Sequence, residues 1–480
     1  MKTIITTGIL MLLLFIFSCA DKKKSESINK NEIDSYLNEA MKLHGIPGLA
    51  LAIIENEEVV YRGYFGKASL EENELVDKHT LFRIFSATKL ITSTGVFQLI
   101  ENGKLSLEDK VSKNLDNLPE KWKEVKIKNL LSHSSGLPDF IKYKSTLSDE
   151  ELMEKLANDS MDFSLGNQFR YNQINYWLLA QVIEKVTGQP FNEYILNNQF
   201  EKSENDVLFS SNSQEIISNR ATRYFYNGKT KEYEKDTNNN GKRGYAGNGL
   251  NITLNAFIDW NKNLDNNELI AAETKTQMWT PFNFVNGTDK FSHGWGIYPV
   301  NSLTSVGFSG GNCAAFRKFT KDKVTIILLS NGYIHPAYDI VINDIAKMVV
   351  PQLKAKRLTK EEEVMRLILN NKYEEAKSSF FKLKEENPIS NFDNLKWNIN
   401  GIGNSLIREN KIQEALQIFM LNAEVNSNWW VAKAGLAEVY EIQEDHKNAI
   451  LNYKKAMLLN ENNEWNYNEL MIKKIDKLKN

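Results

Sequence analysis

The sequence predicts an α+β domain followed by an all-α region, and three observations carry that reading. Apolar, strand-like runs lie at both ends of the first ~350 residues, with helical patterns between them. Only helical patterns continue after Pro351. Small and aromatic residues then recur 34 positions apart.

The chain starts with Met1-Lys2 and a nearly continuous apolar run from Ile4 to Phe17. That run is shorter than the roughly 20 residues a membrane span needs, and it suits the core of a secretory signal. It ends in Ile16-Phe17-Ser18-Cys19. Residues 1–19 resemble a bacterial lipoprotein signal. The resemblance implies cleavage before Cys19, acylation of its thiol and a lipid anchor on a bacterial membrane in the cell envelope, with the leaflet left open. Residues 20–30 are polar, without apolar period, and read as a tether. The only other cysteine is Cys313. With Cys19 acylated no intrachain disulfide forms, and stability must come from core burial.

Composition narrows the function classes. Of the 480 residues 42% are hydrophobic and 25% charged, as in a globular chain, and the formal net charge is −2. No basic excess points to nucleic acid. Neither paired cysteines of metal-binding type nor an HExxH pattern is present, so no metal and no cofactor is expected.

Residues 31–44 carry helical period through Ile33, Leu37, Ala40 and Met41, and Gly45-Ile46-Pro47-Gly48 stops it. Leu49–Ile54 and Val59–Tyr64 read as two strands joined by the polar turn Glu55-Asn56-Glu57, a hairpin. A helix should begin near Ser86 and end at Asn102-Gly103. Trp177–Val186 reads as a buried helix, and Lys323–Ser330 as a central strand.

In the stretch Phe82-Arg-Ile-Phe-Ser86-Ala-Thr-Lys89, a lysine follows a serine by three positions at a helix start. Positions i and i+3 share a helix face, so an amine can meet a hydroxyl. Apolar surroundings lower a lysine pKa toward that of a useful base. The bare Ser-x-x-Lys pattern is weak and recurs at Ser27–Lys30 and Ser379–Lys382, in the tether and on a solvated helix face. Three further stretches give Ser86–Lys89 its context: Asn129-Leu-Leu-Ser-His133-Ser-Ser-Gly, Phe169-Arg-Tyr171-Asn-Gln173, and Gly307-Phe308-Ser309-Gly310-Gly311.

With those motifs in that order, residues 31–350 resemble the serine β-lactamase and penicillin-binding-protein-like hydrolases, particularly the class C and family VIII esterase branch. The resemblance implies a three-layer α/β/α fold with a helical subdomain, placed at residues 31–352. Ser86 then corresponds to the nucleophile, Lys89 to its activating partner, and Tyr171 to a proton shuttle. The amides of Ser86 and Gly311 would form the oxyanion hole. Gln173, Phe308, Ser309 and Gly310 would line the substrate site. Two positions depart from the family pattern. Gln173 stands where asparagine is usual, one methylene farther out. Phe308 stands where lysine or histidine is usual, and removes a cation that holds the tyrosine ionised and pairs with a substrate carboxylate. His133 is read as fixing a loop rather than as catalytic.

The later period has Gly403, Ala415 and Phe419 recurring as Ala437, Ala449 and Tyr453, with Ala376, Phe380 and Pro388 as an earlier partial unit. Residues 359–480 resemble a tetratricopeptide array, which implies a protein or peptide partner. Two functions follow. The first is a serine hydrolase acting on a small-molecule or peptide ester or amide, and a poor one on penicillins because Phe308 lacks charge. The second is a ligand-binding module with little or no turnover, in which the repeats recruit a partner.

Overall fold

The computed structural model describes residues 28–201, 205–287, 291–300, 303–336, 338–353, 360–388, 390, 392–461 and 463–479. The expected signal peptide, Cys19 and tether residues 20–27 lie outside them.

The first helix, α1 (Lys30–His44), starts at the cap Asn29, whose side chain accepts from Glu32 N, and stops at Gly45 in the left-handed region. The hairpin follows as β1 (Gly48–Glu55) and β2 (Glu58–Ser69), turning through Asn56 and Glu57 at φ 51° and 71°. These two strands belong to a seven-stranded antiparallel sheet. Its other members are β3 (Glu74–Leu75), β4 (Gly296–Val300), β5 (Leu303–Gly310), β6 (Ala314–Phe319) and β7 (Val324–Ser330). The order is β3-β2-β1-β7-β6-β5-β4, so β7 is central, as its β-branched run predicts. The register pairs Leu51 with Leu328 and Ile53 with Ile326.

Strand alternation builds two cores. Leu49, Leu51 and Ile53 face a layer with α1 and the helix Tyr338–Val349. Ala50, Ala52 and Ile54 face the larger core of the helical subdomain, which contains Thr88–Glu101 and Ile174–Thr187. Helices therefore cover both faces of the sheet. The predicted helix Trp177–Val186 is the later part of Ile174–Thr187, ended by Gly188 at φ 70°.

The C-terminal region is helical. Helices Lys360–Leu369, Tyr373–Glu386, Asp393–Arg408, Ile412–Val425, Trp430–Ile442, His446–Leu459 and Tyr467–Lys479 pack in sequence-adjacent pairs. The region is seated on the sheet domain at two places. Arg366 donates to Asp344 at 2.6 Å, and Asp344 also accepts from Tyr36 of α1. Elsewhere Gly401 lies against Pro336, and Gly228 lies against the Arg408 carbonyl with no room for a side chain.

Candidate active site

Ser86 is delivered by a short strand. Leu81–Arg83 pairs with Leu250–Thr253, and Ile84 N continues the pairing to Leu250 O at 2.9 Å. The chain then bends at Phe85, which adopts φ 47°. A left-handed aromatic residue costs about 1–3 kcal/mol and marks an over-determined bend. The predicted helix start at Ser86 is a 3₁₀ turn, Phe85–Ala87, and the α-helix proper, now α2, runs Thr88–Glu101. The strained bend displaces the helix start by two residues. Hydroxyls hold α2 in place: Thr88 Oγ1 accepts from Leu250 N at 3.1 Å, and Thr92 Oγ1 donates to Ala246 O at 2.8 Å.

Tyr171 meets Ser86 from a loop. Its Oη lies 2.6 Å from Ser86 Oγ. The loop is propped by His133, fully buried at φ 55°. His133 Nδ1 accepts from Asn172 N at 3.2 Å, its carbonyl accepts from Arg170 N at 2.9 Å, and its ring lies 4.6 Å from that of Tyr171. Burial holds this imidazole well below the usual pKa, so it stays neutral. That arrangement is the loop-fixing part expected for it.

Lys89 is fully buried one helical turn from Ser86. Its Nζ donates to Gly247 O at 2.8 Å and to Gln173 Oε1 at 3.2 Å. The longer amide at position 173 therefore still reaches the amine. Burial pushes the Lys89 pKa down to about 7, and the charge of Asp139 opposes that shift. A neutral amine has two N–H donors and one lone pair. Both donors are taken, which leaves the lone pair to accept a proton. Tyr171 behaves oppositely. Desolvation raises its phenol above the ordinary value, while hydrogen bonds from Ser86 and Gln173 pull it part of the way back. Of the two, the amine is the group able to act as a base near neutrality.

The third motif ends β5 beside Ser86. A Cβ on Gly310 would lie 2.7 Å from Ser86 N and 2.0 Å from Ile84 O, so only glycine lets the strand approach this closely. Gly311 turns at φ 56°, with the Phe85 ring packed close against it. Phe308 is buried, 6.3 Å from the Tyr171 ring and 6.0 Å from Lys89 Nζ by ring centroid. It presents an apolar face at the position where the resemblance implies a lysine or histidine is usual. The neighbouring Ser309 hydroxyl accepts from Arg317 at 2.8 Å, and Arg317 also donates to Asp339. Strand alternation turns Ser309 toward the helix Tyr338–Val349, away from Phe308.

The structure thus gathers Ser86, Lys89, Tyr171, Gln173, Phe308, Gly310 and Gly311 at one place. Three contributors escaped the sequence reading. Asp139 is half-buried and accepts from Gln173 N at 2.9 Å; its place just after the Ser-Gly-Leu-Pro stretch is the one signal it had. Arg223 bonds the Gly311 carbonyl at 3.1 Å, Arg317 bonds the Phe308 carbonyl at 3.2 Å from the sheet face opposite the Phe308 side chain, and nothing in their local sequence announces them. Cys313 is a buried free thiol. Among the described residues no cluster of three or more His, Cys, Asp or Glu side chains is placed to hold a metal ion.

Comparison with known proteins gives the family and the fold. The Beta-lactamase family model matches residues 33–346, well over half of the chain, and the chain belongs to that family. It is 26% identical to Penicillin-binding protein 4* of Bacillus subtilis over 332 residues, covering 64% of this chain and 73% of that protein. It is also 26% identical over 179 residues to Protein flp of Staphylococcus aureus, where the match covers 35% of this chain and only 36% of flp. The fold is shared with an octameric penicillin-binding protein homologue from Pyrococcus abyssi (TM-score 0.57, 24% identity, 71% of this chain and 82% of that one). It is shared too with a D-amino acid amidase from Ochrobactrum anthropi (TM-score 0.57, 17% identity, 66% and 98%).

Proposed function

We propose that this chain is a serine hydrolase that cleaves an ester or amide through an acyl-enzyme on Ser86. The observation that carries the reading is the 2.6 Å contact between Ser86 Oγ and Tyr171 Oη above a buried lysine poised near pH 7. Ser86 Oγ attacks the substrate carbonyl carbon, and its proton leaves by way of Tyr171 toward the Lys89 lone pair. The carbonyl oxygen takes up the developing charge at the amides of Ser86 and Gly311. Tyr171 then protonates the leaving alcohol or amine, and water releases the acyl group by the reverse path.

Phe308 sets the substrate class. An apolar ring where a cation is usual favours esters or amides without a nearby carboxylate over penicillins. The test is turnover of p-nitrophenyl acetate or butyrate that disappears in Ser86→Ala. The competing reading, a site that holds ligand without turnover, draws on the Lys89 donors pointing to Gln173 and Gly247 rather than to Ser86. A covalent adduct at Ser86 with a fluorophosphonate or a fluorescent penicillin decides between them.

We read residues 359–480 as tetratricopeptide-like repeats with a protein or peptide partner. Ala376, Ala415, Ala437 and Ala449 are fully buried with Phe380, Phe419 and Tyr453, and Gly403 packs on the Phe419 ring, as the recurrence requires. A pull-down comparing the full chain with residues 20–357 tests recruitment; identical partner sets count against it. We also propose that acylated Cys19 anchors the protein to a membrane in the cell envelope. Loss of labelled palmitate incorporation in Cys19→Ser is the expected result.

A further inference from the structure

The turn that carries Gly311 is backed by a buried cation, Arg223. Arg223 stands just before the strand Tyr224–Asn227 and is 9% exposed. Its Nη2 donates to Gly311 O at 3.1 Å, and its Nη1 donates to Tyr224 O at 2.5 Å. The guanidinium carbon lies 5.7 Å from the Phe85 ring centroid, 4.6 Å from that of Phe225 and 5.1 Å from that of Tyr333. Tyr333 in turn accepts from Asn312 Nδ2 at 3.0 Å, next along the same turn.

These contacts join the two halves of the proposed oxyanion hole. Phe85 precedes Ser86, and Gly311 supplies the second amide. Both residues sit at positive φ, where no regular ladder holds them. The Phe85 ring lies so close to Gly311 that a Cβ there would be 2.6 Å away. A guanidinium that bonds the Gly311 carbonyl and stacks beside Phe85 limits the rotation of both peptides. Planar stacking combined with forked donation is a property of arginine that lysine lacks. Displacing an amide by about 1 Å from a developing oxyanion is enough to cost a factor of about 100 in rate.

We propose that Arg223 is a positioning residue of the oxyanion hole, clamping the Gly311 turn against the Phe85-Ser86 bend. The proposal rests on the hydrolase reading above. Its test uses the full chain and the variants Arg223→Met and Arg223→Lys, with rates normalised to sites titrated by a fluorophosphonate. In Arg223→Met, kcat on p-nitrophenyl butyrate should fall about 10- to 100-fold while KM stays within about twofold, the signature of an interaction made in the transition state. Inhibition by phenylboronic acid, whose serine adduct is tetrahedral, should weaken by a matching factor. Arg223→Lys should fall between parent and Met, and carries the test alone if the Met variant does not fold. A soluble variant with kcat within about twofold of the parent overturns the proposal, as does a fall in kcat with boronate affinity unchanged. A parent chain that neither turns over ester nor binds boronate defeats the hydrolase reading itself, and this proposal with it.

Discussion

Ser86 Oγ and Tyr171 Oη lie 2.6 Å apart although 85 residues separate them in the chain. The contact holds because each side is braced separately, Ser86 by the strained bend at Phe85 and Tyr171 by the His133 prop. Tyr171→Phe keeps the ring packing and removes only the proton relay. Its kcat on p-nitrophenyl butyrate should fall about 10²–10⁴-fold with an unchanged melting temperature. A loss below about threefold leaves the relay without support.

The buried amine makes a pH prediction. As Lys89 must be neutral to accept a proton, kcat/KM should climb about tenfold per pH unit below about 7 and level off above it. The negative charge of Asp139 raises the Lys89 pKa, so Asp139→Asn should move that limb to lower pH. A shift to higher pH, or none, contradicts the assignment of Lys89 as base.

Stability should carry the same signature. The folded-state pKa of Lys89, about 7, lies below its ordinary value of 10.5. Between those two values the unfolded chain binds more protons, so stability rises with pH across the window. Lys89→Met has no such proton to exchange. The melting temperature of the parent minus that of the variant should therefore increase from pH 7 to pH 9.5, whatever its starting sign.

Charge at position 308 should decide between substrates. Phe308→Lys restores a cation near Tyr171 and should raise kcat/KM on nitrocefin by about tenfold, the worth of one well-placed charge contact. No gain removes the charge argument and leaves substrate choice to the shape of the cleft.

Much of this was legible in the residues themselves. Helix α1 and the β1–β2 hairpin follow from local period and from turn residues that tolerate positive φ. The central position of β7 follows from a seven-residue run that is apolar on both faces. The candidate site is legible for a different reason. Ser86 and Lys89 are neighbours on one turn, and the other motifs are marked by glycine and aromatic residues whose backbone demands are local.

Asp139, Arg223 and Arg317 were not legible, because their roles depend on which surfaces meet. A carboxylate near a buried amine, or a guanidinium behind a turn, acts through distance and desolvation, and neither is written in a residue's neighbours along the chain. The side to which Ser309 turns was likewise settled by the register of β5 against β6. The amino-acid order thus determined the elements and the reactive groups, since both rest on short-range pattern. Tertiary packing alone decided that Lys89 is fully buried and that Tyr171, not Lys89, touches the serine hydroxyl, because solvation and proximity belong to the assembled surface.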